Sequence, residues 1–104
     1  MDLDKKEESI ILFSFYSGLL PKKSFDYFDL YYNQDYSLSE IASFFKVTRT
    51  AIFDSLRKTL KILHFYEEKL GLVSKSNKRN QILNNLNKDN LEESISLLKE
   101  IEND

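Results

Sequence analysis

The sequence predicts an all-α protein, a helical bundle that contains a helix-turn-helix and ends in a C-terminal helical tail. Apolar residues recur at intervals of three and four along nearly the whole chain, which is the spacing of one helix face. Only two Gly and one Pro occur among 104 residues, so little material is available for the turns of a β-sheet. A chain of this length suits one core, and we expect a single domain over residues 1–104.

Composition excludes several classes of site. The chain has no cysteine, which removes disulfides and thiolate metal ligands. No apolar run reaches the about 20 residues that span a bilayer, and the acidic N-terminus is unlike a signal peptide. We therefore expect a cytoplasmic protein with no membrane partner. His64 is the one histidine, and we expect it to be a partly buried packing residue; with no metal-ligand spacing and no Gly-rich phosphate loop, we expect neither a cofactor nor an enzyme.

Two helices are predicted in the first third of the chain. The first covers residues 7–19, where apolar side chains form a broad face. Pro21 suits the first turn of the second helix, because the N–H groups of that turn have no helical partners. The second helix runs to about Asn33, and a polar turn follows at residues 33–36.

A third helix begins at Ser37. Ser37 and Glu40 have the spacing of a capping box, in which each side chain accepts a hydrogen bond from the other residue's backbone. Residues 45–47 form a turn, and Thr48 is placed to cap the fourth helix through its hydroxyl. The inward-facing residues of the third helix are predicted to be Leu38, Ile41, Ala42 and Phe45.

The fourth helix continues without a breaker to Leu70, and Gly71 is its expected C-cap. Leu56, Leu63 and Leu70 recur at sevenfold spacing along it. This stripe can pack against its own domain or against a second copy of the chain. A C-terminal tail over 71–104 then holds two further helices, at about 76–87 and 91–102. We expect a homodimer through helix four and this tail.

The spacing of residues 41–56 is that of a helix-turn-helix. The stretch reads I-A-x-x-F-x-V-T-x-x-A-I-x-x-x-L. Ala42 is small where the two helices cross, Val47 fills the turn, and Ile52 and Leu56 anchor the second helix in the core. The start of that helix is then free to enter the major groove of DNA. An ordinary helical hairpin is the alternative reading of the same spacing.

The wider context resembles the region-four domain of bacterial sigma factors. The stretch "LLPKKSFDYFDLYYNQDYSLSEIASFFKVTRTAIFDSLRKTLKIL" at 19–63 has that domain's order, and we treat it as the helix-turn-helix module. Nearly the whole chain resembles the YlxM-like family of small proteins thought to bind DNA, including "FSFYSGLL" before the module and "YEEKLGL" at 66–72 after it. The resemblance implies an all-helical cytosolic bacterial protein. It also implies a regulator or accessory factor of the signal recognition particle pathway.

The candidate nucleic-acid-binding residues follow from that resemblance and from charge. The net charge is −2, but residues 46–61 carry five cations against Asp54. Matched positions place Arg49 and Thr50 in the groove, and Arg57 lies a turn or more further along, at the backbone. Lys46 stands where such turns often have Gly, and a left-handed backbone would cost about 1–2 kcal/mol there. The full predicted set is Lys46, Thr48, Arg49, Thr50, Phe53, Arg57, Lys58 and Lys61.

Two partner classes remain open from the sequence. DNA is the first, bound by the basic face of the fourth helix. The second is a protein or RNA surface, including components of the signal recognition particle, in which Phe53 and Ala51 form an apolar contact patch. The basic, amide-rich segment "KSNKRNQILNN" at 75–85 could approach RNA, or it could be a solvated helix face.

Overall fold

A computed structural model describes residues 5–87 and 89–102, and in these residues every regular element is helical. A 3₁₀ turn, Ser17–Leu19, follows the first helix, and one π-helical turn, Asp29–Asn33, continues the second. The predicted all-α class is confirmed. The six α-helices are α1 Lys6–Tyr16, α2 Lys22–Phe28, α3 Leu38–Phe45, α4 Arg49–Leu70, α5 Leu72–Asn84 and α6 Leu91–Glu102.

The chain divides into two compact units, Met1–Leu70 and Gly71–Asp104. The first contains α1 to α4, and the second contains α5 and α6. That the whole chain acts as one domain with a helical tail stays a prediction. Within the part of the chain that the structure describes, no helix combines the length and apolar character needed to cross a bilayer.

The core of the first unit is built around α4, which packs against α1, α2 and α3. Aromatic rings fill the space on the α1 and α2 side. The ring of Phe13 stacks on that of Phe28 with centroids 4.8 Å apart, and Tyr27 meets Phe45 of α3 edge-on at 4.9 Å. The side chains of Phe28, Ile52, Leu56 and Leu63 are wholly buried. Such close packing fixes α4 in position along its length.

The sevenfold stripe on α4 lies inside this core. Leu56 and Leu63 are fully buried, as are Thr59 between them and Ile52 before them, whereas Leu70 is 46% exposed. Of the two alternatives for the stripe, the structure therefore has the intramolecular one. A dimer through the leucine stripe of helix four would need these side chains at the surface. Leu56 and Leu63 instead pack against their own unit, so they are not available to a second copy.

Polar contacts hold α1 against the far end of α4. The buried Tyr16 donates its hydroxyl to Glu67 Oε1 at 2.6 Å. His64 was expected to be partly buried, but it is exposed, with Nε2 3.7 Å from Glu8 Oε1. The reason is geometric: one residue after Leu63, its side chain is rotated by about 100° from the buried face of α4.

The second unit is a helical hairpin. Its α5 starts at Leu72, four residues earlier than predicted, because Gly71 takes a left-handed conformation (φ 64°) that ends α4 and allows a new helix to start at once. The amide of Asn90 donates to the Asn85 carbonyl at 2.7 Å and shapes the connection to α6. Across the hairpin, Arg79 Nη1 lies 3.1 Å from Glu102 Oε1.

Candidate nucleic-acid interface

Helix α3 packs against α4 and supports the interface, and the predicted capping box fixes where α3 begins. The Glu40 N–H donates to Ser37 Oγ, and the Ser37 N–H donates to Glu40 Oε1, both at 3.0 Å. The hydrogen bond from the Ser37 backbone, and then that with its side chain, lowers the pKa of Glu40 below its ordinary value of 4.5. The ionised carboxylate near the N-terminus of α3 also suits the helix dipole.

The turn between α3 and α4 forms around a left-handed residue. Lys46 has φ 59° and ψ 43°, so the left-handed position expected from the sequence falls on a lysine. The Val47 N–H donates to the Ala42 carbonyl at 3.0 Å and closes the turn. A residue with a Cβ costs about 1–2 kcal/mol in this conformation. The turn therefore keeps the geometry of a glycine turn at some cost in stability, and it gains an exposed cation.

The start of α4 is capped and anchored. The Ala51 N–H donates to Thr48 Oγ1 at 3.0 Å, which confirms Thr48 as the N-cap. Ile52 and Leu56 are completely buried, and Ala42 of α3, also buried, belongs to the same core. The first turns of α4 are thereby held on one side, and the opposite side faces solvent.

That opposite side carries several of the predicted residues. Thr50, Asp54, Lys58 and Lys61 recur at intervals of four, four and three, and all are exposed. None of the cations from 46 to 61 takes part in an ion pair within the described residues. They are therefore available to phosphate groups. Of the eight predicted residues, six are exposed (Lys46, Thr48, Arg49, Thr50, Lys58 and Lys61) and two are half-buried (Phe53 and Arg57).

Two features of this face work against reading bases. Asp54 lies at its centre, four residues after Thr50 and four before Lys58, where its carboxylate repels phosphate. Phe53 brings an aromatic ring to the edge of the face, and the Arg57 guanidinium carbon lies 5.7 Å from the centroid of that ring. Arg49 and Thr50 remain as the side chains able to pair with base edges.

A second exposed feature was not predicted from the sequence. Phe44 on α3 is 78% exposed and borders an open groove of about 670 Å³, which Leu30, Tyr36 and Ile41 also line. The one available signal was the pair Phe44-Phe45. Phe44 points about 100° away from Phe45, and because Phe45 packs edge-on against Tyr27, Phe44 is left on the solvent side of α3. The predicted candidates do not include this groove.

Comparison with known proteins agrees with this geometry. Residues 3–102 match the family model described as "Putative helix-turn-helix protein, YlxM / p13 like". A UPF0122 protein of Streptococcus pneumoniae (strain Hungary19A-6) is 44% identical over 108 residues, covering 99% of this chain and 98% of the relative. One from Lactococcus lactis subsp. cremoris (strain MG1363) is 46% identical over 88 residues, covering 85% and 79%. One from Limosilactobacillus fermentum is 49% identical over 81 residues, covering 78% and 72%. The chain belongs to the UPF0122 family of YlxM- and p13-like helix-turn-helix proteins.

Proposed function

We propose that this protein is a cytoplasmic regulator that binds duplex DNA through the first turns of α4, and that it is not an enzyme. One observation carries the proposal. The exposed cations Lys58 and Lys61 form no ion pair within the described residues and lie on the side of α4 away from the buried Ile52 and Leu56. A third exposed cation, Arg49, is the first residue of the helix. In a helix-turn-helix this is the helix that enters the major groove, with its N-terminal residues toward the bases.

The charges predict how binding depends on salt. Each phosphate neutralised by a lysine or arginine contributes a slope of about −0.9 to the dependence of log affinity on log salt. With four or five cations at 46–61, we expect a slope of about −4 for one module. Binding by one chain is therefore weak at physiological salt and much stronger at low salt.

The base-reading side chains predict a modest sequence preference. Arg49 can pair bidentately with guanine, Thr50 can hydrogen-bond a base edge, and Ala51 can touch a thymine methyl group. Asp54 offers at most an acceptor for cytosine N4. Most of the affinity then comes from the phosphate backbone, which positions the protein without specifying a sequence.

A second candidate function rests on Phe53 and Asp54. An aromatic ring on this face suits a protein contact or an unpaired RNA base better than a DNA groove. The carboxylate repels the phosphates of either nucleic acid and favours a protein contact. In this version the module is an accessory factor that binds a component of the signal recognition particle, as the family resemblance implies. Arg49 and Lys58 then contribute less than the patch formed by Phe53 and Ala51.

Fluorescence anisotropy tests the first function against the second. The protein is titrated with a randomised duplex and with a structured RNA at about 50 and 200 mM salt. The face variant, Arg49→Ala with Lys58→Ala, removes one exposed cation at the start of α4 and one on the exposed side of that helix. The matched control is Lys22→Ala with Lys69→Ala, which removes two exposed cations from α2 and from the far end of α4.

We expect the face variant to lose about 10-fold to 100-fold in duplex affinity and to flatten the salt slope by about 2. The control should stay within about threefold of the wild type. Absence of duplex binding at low salt rules out the DNA function. If RNA binds instead, and Phe53→Asp reduces that binding more than Arg49→Ala with Lys58→Ala does, the accessory function is supported.

A further inference from the structure

The outer side of α4 carries two exposed apolar side chains beyond the proposed DNA interface. Ile62 is 39% exposed and Phe65 is 53% exposed. Both lie off the side of the helix that buries Leu60 and Leu63 in the core of the first unit. The packing of this unit therefore leaves the two side chains uncovered.

Three lysines share this side of the helix with them. Lys58, Lys61 and Lys69 are exposed, and none takes part in an ion pair within the described residues. Helical geometry places all five side chains within an arc of about 100°. The Lys69 ammonium lies 5.7 Å from the centroid of the Phe65 ring, so a cation already lies beside the exposed ring. We name this surface the outer strip: Lys58, Lys61, Ile62, Phe65 and Lys69.

The acids of α4 lie outside the outer strip. Asp54 precedes it by one turn, and Glu67 Oε1 accepts a hydrogen bond from the Tyr16 hydroxyl at 2.6 Å. Glu68, three residues after Phe65, projects about 60° to one side of that ring. The strip therefore carries positive charge only. A second copy of the strip would bring lysine against lysine, whereas a polyanion is complementary to it.

The outer strip continues the proposed DNA interface along α4, because Lys58 and Lys61 belong to both. Phe65 lies 16 positions after Arg49, which is about 24 Å along the helix axis. A helix-turn-helix places the N-terminal residues of this helix against the bases, in a major groove about 12 Å wide. The far half of the strip therefore lies beyond the groove, where the nucleic acid next to the bound base pairs can reach it.

The exposed ring indicates which form of nucleic acid fits the strip. In a duplex the faces of the bases are stacked inside, and the backbone offers phosphate and sugar. An unpaired strand exposes its base faces, which stack on aromatic side chains while lysines hold the phosphates. Lys61 and Lys69 lie four residues before and four after Phe65, so a cation stands on each side of the ring along the helix.

We propose that the outer strip binds an unpaired segment of nucleic acid adjoining the duplex that the start of α4 binds. The preferred ligand is then a duplex with a single-stranded extension. This preference rests on the proposed duplex binding, whereas the contact between the strip and an unpaired strand can be measured without a duplex. A base takes the place of the Lys69 ammonium on the Phe65 ring, since a cation–π contact at an exposed site is weak.

Fluorescence anisotropy with three probes tests the proposal. The probes are a blunt duplex, the same duplex with an oligo(dT) extension of about 10 nucleotides at either end, and oligo(dT) alone. At low salt the extension should raise affinity by about 10-fold at one end or both. Phe65→Ala should remove most of that gain and leave the affinity for the blunt duplex unchanged. Phe15→Ala is the matched control, because it removes an exposed phenylalanine from α1, and it should keep the gain.

Helix content by circular dichroism is recorded for each variant, so that loss of binding is not confused with loss of α4. Equal affinity for the blunt and the extended duplexes overturns the proposal and leaves the duplex function standing. A gain that survives Phe65→Ala, or that Phe15→Ala removes equally, also overturns it, since the unpaired strand then binds elsewhere. If the blunt duplex does not bind, the duplex function fails, and oligo(dT) binding that Phe65→Ala weakens would still support the strip as a site for an unpaired strand.

Discussion

The guanidinium of Arg57 lies over the ring of Phe53, with 5.7 Å between the guanidinium carbon and the ring centroid. Both residues are half-buried and sit four positions apart on α4. The arrangement places a positive charge over an aromatic side chain that would otherwise interrupt a basic face. A cation–π contact of this kind contributes about 0.5–1 kcal/mol at an exposed site, which is weak enough for the arginine to turn toward a phosphate.

Substitution of the two partners should therefore have unequal effects on duplex binding. Arg57→Ala removes a phosphate contact, and we expect about a 10-fold loss of affinity with a salt slope reduced by about 1. Phe53→Ala leaves the charge in place and should change affinity by less than about threefold. Anisotropy titrations of both variants make the comparison. A larger loss from Phe53→Ala would indicate an apolar recognition surface.

Lys46→Gly should raise stability and weaken DNA binding at once. Glycine adopts the left-handed turn without a Cβ clash, so we expect the free energy of unfolding in urea to rise by about 1 kcal/mol. The same change removes one cation of the proposed interface and should reduce duplex affinity by several fold. Lys46→Asn is the control, because asparagine tolerates the left-handed region and also lacks the charge. Equal stability of the wild type and the glycine variant would contradict the cost assigned to this turn.

Asp54→Asn separates backbone binding from base reading. If the face mainly contacts phosphates, removal of the central carboxylate should raise affinity for a randomised duplex by about threefold to tenfold. If Asp54 accepts a hydrogen bond from cytosine, the variant should instead lose affinity for a selected sequence. We expect the first result. Titration against both the random pool and its selected members shows which holds.

The capping box predicts acid sensitivity. The pKa of Glu40 is lower in the folded protein than its ordinary value of 4.5. The ionised Glu40 carboxylate therefore makes its full contribution to stability above pH 4.5. That contribution is lost as the pH falls through the lower pKa that Glu40 has in the folded protein. Glu40→Gln lacks this titration, so its free energy of unfolding should fall less steeply than that of the wild type below pH 4.5. Parallel curves for the two proteins, measured by urea unfolding over this range, would remove Glu40 as a source of acid sensitivity.

Local signals in the sequence were sufficient for the motif itself. The Ser37–Glu40 box, the Thr48 cap and the left-handed position of Lys46 each depend on a few neighbouring residues, and all three are in the structure. The class of fold follows from helical spacing over longer stretches. These features could be predicted because short-range geometry decides them.

Features that depend on tertiary packing were harder to predict from the sequence. Sevenfold spacing on α4 does not say which surface covers Leu56 and Leu63, and the structure shows that their own unit does. The exposure of Phe44 likewise depends on Phe45 taking the place against Tyr27.

Amide chemical-shift mapping by NMR tests the central claim most directly. Addition of a short duplex to the labelled full chain reports which backbone positions contact it, without any substitution. The account predicts that the largest shifts fall at residues 46–61 and shrink as salt is raised from about 50 to 200 mM. Shifts confined to the groove beside Phe44 or to residues 75–85, or none at low salt, would contradict the claim that α4 binds DNA.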